Sequence, residues 1–206
     1  MSLKQKLILS ALCLIAAPFP LYAQVDIENG VPVTIPVDAE MDNNFSVDVT
    51  DIDFGVIAAT NAIGETAELT ITPGGTLDET TGNTGARARL VSNGGGRPGT
   101  LDIESALADQ TITIRYGNIT NLTCGTCAGT PPVLVVSRIA DDAALQNGVW
   151  SADSGSPDGD AVPGRIQTGN DGAARINIGV TLRTDGSGTA YPSGTYVGSL
   201  EVTLEY

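Results

Sequence analysis

The sequence has no histidine, only two lysines, and aromatic residues at 4 % of its 206 positions. Histidine is the commonest general base and the commonest zinc ligand, and it activates the nucleophile in Ser-His and Cys-His pairs. The few aromatic rings also leave little for the sugar-stacking platforms that usually accompany the paired carboxylates of glycoside hydrolases. These absences favour a non-enzymatic protein that carries no cofactor and no catalytic metal.

Positive charge is also scarce, because 10 basic residues face 24 acidic ones and the net charge is −14. Binding nucleic acid requires a basic face, so nucleic acid is excluded as a partner. The length suits one substantial domain, and no change of composition marks a second one.

Residues 1–23 have the pattern of a cleavable secretory signal. Lys4 and Lys6 precede an uncharged apolar run, and Ala23 offers a small residue before a cleavage site. The run is shorter than the ~20 residues of a membrane-spanning helix, and the alternative is a retained N-terminal anchor. Cleavage leaves 183 residues with eight arginines, no lysine and a net charge of −16. We expect export to the periplasm, the cell surface or the medium, with no transmembrane segment in the mature chain.

Apolar and polar residues alternate with a period of two through much of the chain, as strands with one buried face require. Thr111–Tyr116 has this pattern, and so do the residues from Arg175 to Arg183. Turns rich in glycine and aspartate separate the runs. The pattern predicts an antiparallel β-sandwich over residues 45–206. The core face of its last strand is predicted to carry Tyr196, Leu200, Val202, Leu204 and Tyr206.

Residues 147–174 are rich in glycine, aspartate, serine and proline, which predicts a long exposed loop carrying Trp150. Residues 139–147, which lead into this loop, have weak helical spacing and are expected to hold at most two helical turns. The acidic residues that could offer oxygens to Ca²⁺ are Asp141, Asp142, Asp153, Asp158 and Asp160. Because no closing bidentate glutamate follows them, solvated turn aspartates are favoured over a metal site.

The segment before the sandwich also alternates. Its apolar residues lie at every second position: Val31, Val33, Ile35, Val37, Ala39 and Met41. Pro32 and Pro36 on the other face remove ladder donors, which an edge strand tolerates and a central strand hardly does. Residues 24–44 are therefore either the first strand of their own domain or an extension that adds to a sheet edge of another copy.

Two cysteines remain once the leader is removed, Cys124 and Cys127. In an exported protein they most simply pair with each other. A redox site would need a helix N-terminus to lower the thiol pKa, but Gly129 and two prolines follow. Zinc would need further ligands, which the chain lacks. We expect a disulfide that tightens a loop.

Two stretches resemble a known family. Asp51–Gly55 reads Asp-Ile-Asp-Phe-Gly, and the family's first strand closes in Asp/Asn-Phe-Gly. Pro192–Gly198 matches its Pro-x-Gly-Thr-Tyr-x-Gly strand, which finishes in an aromatic residue, here Tyr206. Gly74-Gly75-Thr76 is similar to its glycine-rich turn. From about Phe45 to Tyr206 the chain thus resembles the 4402 family of bacterial secreted domains of unknown function.

That family is in turn similar to the fimbrial subunits of chaperone–usher systems, especially the spore-coat-like pilins. The resemblance implies an immunoglobulin-like sandwich with long glycine-rich loops, displayed outside the cell. The partners it implies are copies of the chain or related subunits, and an export chaperone. We expect a structural or adhesive subunit of a pilus-like assembly, joined by strand donation. The alternative is a free-standing periplasmic or secreted binding module that uses the loop around Trp150.

Signal-peptide cleavage is expected directly ahead of Gln24, because Ala23 closes the leader pattern. The intact mass of the exported protein should correspond to 183 residues. A mass that still includes residues 1–23 would contradict export through a cleaved leader.

Overall fold

The computed structural model describes residues 45–81, 87–152 and 160–206. Fifteen β-strands lie within these ranges, and every strand pair is antiparallel. The prediction of an all-β, antiparallel fold is confirmed, while its immunoglobulin-like character stays a prediction. The predicted leader (1–23) and the extension (24–44) lie outside the described residues.

The strands of the described ranges are short, except for two in the larger sheet. The first eight are β1 (Ser46–Thr50), β2 (Ile57–Thr60), β3 (Ala67–Ile71), β4 (Leu77–Thr81), β5 (Arg89–Ser92), β6 (Gly99–Glu104), β7 (Thr111–Gly117) and β8 (Thr123–Cys124). They are followed by β9 (Leu134–Asp141), β10 (Val149–Ser151), β11 (Asp160–Val162), β12 (Gly164–Gln167), β13 (Ala174–Thr184), β14 (Tyr196–Val197) and β15 (Glu201–Glu205).

The larger sheet is organised around β13. Its order is β1-β6-β13-β9-β10-β11, and β3 also pairs with β13 and carries β4 on its other side. The first half of β13 pairs with β6 and the second half with β3, while its opposite edge pairs with β9. Gly179 lies where the partner changes, and a Cβ there would come within 2.3 Å of the Ile71 carbonyl oxygen. Glycine is therefore required for this close approach.

A smaller sheet, β12-β7-β15, packs across the inner face of the larger one. Ile112 and Ile114 of β7 are fully buried, as are Ile176 and Leu182 of β13, and all belong to one apolar cluster. Burying each such side chain contributes about 1.5–3 kcal/mol. The period-two alternation predicted for these two strands is confirmed, and the two layers form the sandwich.

A buried carboxylate links the two sheets. Asp141, at the end of β9, is 2 % exposed, and it accepts a hydrogen bond from the hydroxyl of Tyr116 in β7. Its other oxygen accepts from the amides of Gly148 (2.7 Å) and Ala143 (3.0 Å). Burial and this bond to Asp141 raise the pKa of Tyr116. Because the carboxylate is fully hydrogen-bonded, its burial is tolerated.

Two sequence-based expectations were wrong. Residues 139–147 contain no helix, because β9 continues to Asp141 and the chain then turns around the Asp141 carboxylate. Residues 147–174 are not one exposed loop, since β10, β11 and β12 lie within them and Ile166 is buried. The glycine- and aspartate-rich composition suggested a loop because these residues fill the turns between strands that are only three or four residues long.

Gly148→Ala should lower the free energy of unfolding by about 3 kcal/mol or more. A Cβ at Gly148 would lie 2.3 Å from an Asp141 carboxylate oxygen and 2.8 Å from the backbone nitrogen of Gly164. Gly117→Ala is the matched control, because nothing lies within 4 Å of a Cβ built there. Urea unfolding measures both; equal midpoints for the two variants would contradict a tightly packed Asp141 site.

Candidate functional site

The two sheets do not meet along one side of the sandwich. Among the described strands, β1 is an edge of the larger sheet, β15 is an edge of the smaller one, and neither has a partner on its outer side. Between them lies an apolar cavity of about 480 Å³, open to solvent, which we call the inter-sheet groove. Its position between two unpaired backbone edges makes it the candidate site.

The two walls of the groove come from the two motifs identified in the sequence. Val49, Ile52 and Phe54 form one wall, at the end of β1 and in the Asp51–Gly55 motif. The opposite wall comprises Tyr196 to Leu200 and Val202. Sequence stretches that are about 140 residues apart thus lie on opposite sides of one groove.

The floor of the groove is the inner face of the larger sheet. Its aliphatic residues are Leu101 from β6, Val136 and Ile139 from β9, and Ile178 and Val180 from β13, and Gly99 and Thr100 of β6 also line the groove. The rim is exposed by contrast: Val49 retains 67 % of its accessible surface and Val197 retains 59 %. Val202 and Leu204 of β15 are only partly buried, although they pack against the same core as the fully buried Ile112 and Ile114 of the neighbouring strand. The difference fits the position of β15 at the edge of its sheet among the described strands.

Local turn chemistry fixes the first wall. Gly55 has a φ of +63°, and a Cβ there would lie 2.3 Å from the Gly94 carbonyl oxygen. Asp53 accepts the Gly55 amide at 2.8 Å through its side chain, and its backbone exchanges two hydrogen bonds with Arg97. Phe54 and Gly55 therefore lie in a turn that is hydrogen-bonded to and packed against the glycine-rich loop around Gly94. This turn directs Phe54 toward the groove.

A disulfide supports the second wall. Cys124 and Cys127 are at bonding distance with a Cα–Cα separation of 5.5 Å, which confirms the predicted pairing. Cys124 pairs through its backbone with Tyr196, and a Cβ at Gly194 would lie 2.6 Å from the Cys124 sulfur. The disulfide therefore packs directly against the backbone of the Pro192–Gly198 motif.

Tyr191 anchors the same motif to the larger sheet. Its hydroxyl donates to the Val133 carbonyl oxygen and accepts the Asp185 amide, both at 3.0 Å. Burial raises the pKa of Tyr191 to about 12. Its ring packs edge-on against that of Tyr196, with centroids 6.1 Å apart. The wall is therefore held in place without any occupant.

The charged side chains of β15 point away from the groove. Glu205 forms an ion pair with Arg115 at 3.2 Å, and Glu201 accepts a hydrogen bond from Asn118. Both lie in the exposed phase of the strand, while Val202 and Leu204 pack against the core. An extended segment with apolar side chains at every second position could cover the floor and pair through its backbone with one of the two edges.

The last strand differs in detail from its prediction. The residues predicted as one face are divided between β14, which carries Tyr196, and β15, which carries Val202 and Leu204. The break lies at Gly198, where a Cβ would come within 2.8 Å of the Thr120 carbonyl oxygen. Leu200 lines the groove, and Tyr206 is 47 % exposed. The apolar phase does skip position 198, and a glycine inside a strand pattern is a signal of a close backbone approach that the prediction of a single strand passed over.

Those candidate calcium ligands that lie in the described ranges are not brought together at one site. Asp141 is engaged with Tyr116, and the Asp142 carboxylate accepts the backbone and side-chain nitrogens of Asn177, both at 2.7 Å. Asp160 begins β11, and residues 153–159 lie outside the described ranges. In the part of the chain that is described, no group of three or more acidic or cysteine side chains could hold a metal ion. The preference for solvated aspartates stays a prediction.

Trp150 lies in β10 rather than in a loop. It pairs with Ile139 and Ala161 and packs, partly buried, against the core. The ring is therefore not a fully exposed binding platform, and a binding module built on this region stays a prediction.

Comparisons with protein-family models, with curated proteins and with solved structures find no match to this chain. The resemblance carried by the Asp51–Gly55 and Pro192–Gly198 motifs therefore stays an expectation. Within the described ranges, no helix is long and apolar enough to cross a membrane.

The Cys124→Ser/Cys127→Ser variant should still fold, with a loss of about 2 kcal/mol in unfolding free energy, because the closed ring is very small. The measurement is urea unfolding, alongside thiol titration of the denatured, unreduced wild type, which should detect no free cysteine. A variant that fails to fold, or free thiols in the wild type, would contradict this assignment.

Proposed function

We propose that this protein is an exported, non-enzymatic structural or adhesive subunit that assembles by strand donation. Its inter-sheet groove accepts the segment Val31–Met41 of another copy. The observation that carries the proposal is the pair of unpaired edges, β1 and β15, on either side of an aliphatic floor. Among the described strands, this arrangement leaves room for one further strand, which supports the proposal.

The chemistry of the segment fits the groove. Its apolar side chains recur at two-residue spacing, which directs all of them to one face of an extended strand. The groove offers an aliphatic floor and partly covered inward residues on both sides. Alternate side chains filling such a floor set the register, and backbone bonds to an edge supply affinity.

The prolines of the segment fit a groove between two edges. Pro32 and Pro36 are four residues apart, so both missing donors point toward the same neighbouring strand. The residues between them keep every donor on the opposite side. The segment can therefore pair fully with one edge of the groove and lie along the other mainly through side-chain packing.

The charge of the chain favours a directional contact. At −16 after leader removal, copies of the mature chain repel each other at long range. Asp38 and Glu40 lie in the polar phase of the segment and would stay in water after insertion. Backbone pairing and apolar burial do not depend on net charge, so they can hold such copies together.

Export is supported by two features. The leader pattern of residues 1–23 predicts secretion, and the Cys124–Cys127 disulfide belongs to an oxidising compartment. An export chaperone that covers the groove before assembly would protect its open edges from aggregation. The surface of the cell is where such a subunit would act.

The test uses the mature chain in analytical ultracentrifugation. Wild type should form concentration-dependent assemblies, and Ile35→Asp should abolish them because it places a charge over the aliphatic floor. Thr34→Asp is the matched control: it adds the same charge on the polar face and should assemble like wild type.

A second measurement addresses the groove directly. A chain lacking Gln24–Met41 should bind a synthetic Val31–Met41 peptide by calorimetry, and a Val33→Asp/Ile35→Asp peptide should not bind. If the mature chain stays monomeric at every concentration and the shortened chain binds no peptide, strand donation is wrong.

A further inference from the structure

Asparagine is followed directly by glycine at three places in the chain: Asn29-Gly30, Asn93-Gly94 and Asn147-Gly148. The first pair lies outside the described residues, and the other two lie in contrasting surroundings. Because glycine has no Cβ, its backbone nitrogen can turn toward the side chain of the preceding residue with little steric cost. After asparagine, that nitrogen can attack the side-chain amide carbon. Such pairs are therefore the places where a chain is most exposed to deamidation.

The Asn93-Gly94 pair is open on the surface. Both residues are exposed, and a Cβ built on Gly94 would meet nothing within 4 Å. The Gly94 amide donates to the Ser92 hydroxyl at 3.0 Å, a bond inside the same turn to a neutral acceptor that can rotate. The Gly94 nitrogen can therefore turn toward the Asn93 side chain without leaving a buried group unpaired.

The Asn147-Gly148 pair is held in place instead. Gly148 is buried, its amide donates to the Asp141 carboxylate at 2.7 Å, and its carbonyl oxygen accepts the Asp141 amide at 3.1 Å. A Cβ there would lie 2.8 Å from the backbone nitrogen of Gly164, so the surrounding space is filled. Asn147 itself is exposed, like Asn93. The two pairs thus differ in the glycine that has to supply the attacking nitrogen.

We propose that Asn93-Gly94 is a self-modification site, at which water alone converts Asn93 to aspartate and isoaspartate. The Gly94 nitrogen forms a bond to the Asn93 side-chain amide carbon, and the amide nitrogen leaves as ammonia, which takes the proton that Gly94 loses. The succinimide ring that results opens when water adds to one of its two carbonyl carbons. Addition at the side-chain carbon gives aspartate, and addition at the main-chain carbon gives isoaspartate. Neither step changes an oxidation state.

Isoaspartate would loosen the first wall of the inter-sheet groove. In that product the main chain passes through the side chain of residue 93 and gains one methylene carbon ahead of Gly94. The Gly94 carbonyl oxygen accepts the Val56 amide at 3.4 Å and lies against Gly55, where no Cβ would fit. A shift of Gly94 therefore disturbs the turn that directs Phe54 toward the groove. Aspartate adds the same charge but keeps the length of the main chain.

The experiment incubates the mature chain at mildly alkaline pH and follows each asparagine by peptide mapping with mass spectrometry. Asn93 should deamidate at least about 10-fold faster than Asn147, because the Gly148 amide must first give up a hydrogen bond to a carboxylate. The same chain unfolded in urea is the matched control. There the two rates should be similar, since nothing holds Gly148.

A second measurement addresses the wall. Protein carrying isoaspartate at position 93, separated from the incubated sample, should unfold at a lower urea concentration than freshly prepared Asn93→Asp. Both proteins carry the same charge, so the difference reports the added methylene carbon in the main chain.

The outcomes separate the parts of this proposal. Equal rates at Asn93 and Asn147 in the folded chain, or no reaction at Asn93, would overturn the modification site. Equal unfolding midpoints for the isoaspartate protein and Asn93→Asp would overturn its effect on the Phe54 turn and leave the site standing. The site does not depend on what the groove binds, so neither result bears on strand donation.

Discussion

Among the described strands, β1 and β15 each leave one backbone edge without a partner, and the proposed function depends on these two edges. A backbone edge carries rows of donors and acceptors, and in water these are satisfied by solvent. Here the edges flank an aliphatic floor formed by three strands of the larger sheet, which water solvates poorly. One added strand could pair with one of these edges and cover the floor at the same time, which is the arrangement that the proposed function requires.

The rest of the molecule holds this groove in shape. The Asp141–Tyr116 hydrogen bond fixes the spacing of the two sheets from within, and the Phe54 turn and the disulfide-backed Tyr196 motif fix the two walls. These supports do not depend on an occupant. A preformed groove lowers the ordering cost of binding, because only the incoming segment has to lose conformational freedom.

Much of the scaffold could be predicted from alternation alone, because strands such as β7 and β13 bury one face of every second residue. The disulfide followed from compartment and spacing. The short strands β10 to β12 were missed, since glycine and aspartate dominate the residues around them. The break at Gly198 was missed because the side chains resume the same phase at Leu200, although the glycine itself marks the close approach to the Thr120 carbonyl oxygen.

The groove itself could not be predicted, for a different reason. Its walls come from residues about 140 positions apart, and its floor from three strands brought together only by the sheet order. The sequence does contain the proposed occupant, a segment with one apolar face and prolines on the other. What it could not decide was whether that segment belongs to its own sandwich or to a neighbour's, because alternation is the same in both cases.

Hydrogen–deuterium exchange along β15 tests the central claim most directly. Alternate amides of Glu201–Glu205 bond to β7, and the others face the groove edge. The account predicts that groove-facing amides of β15 exchange rapidly in protein lacking residues 24–41 and become protected in the assembled mature chain, while amides of β13 stay protected in both. Equal exchange of the β15 amides in the two samples would contradict an edge completed by a donated strand.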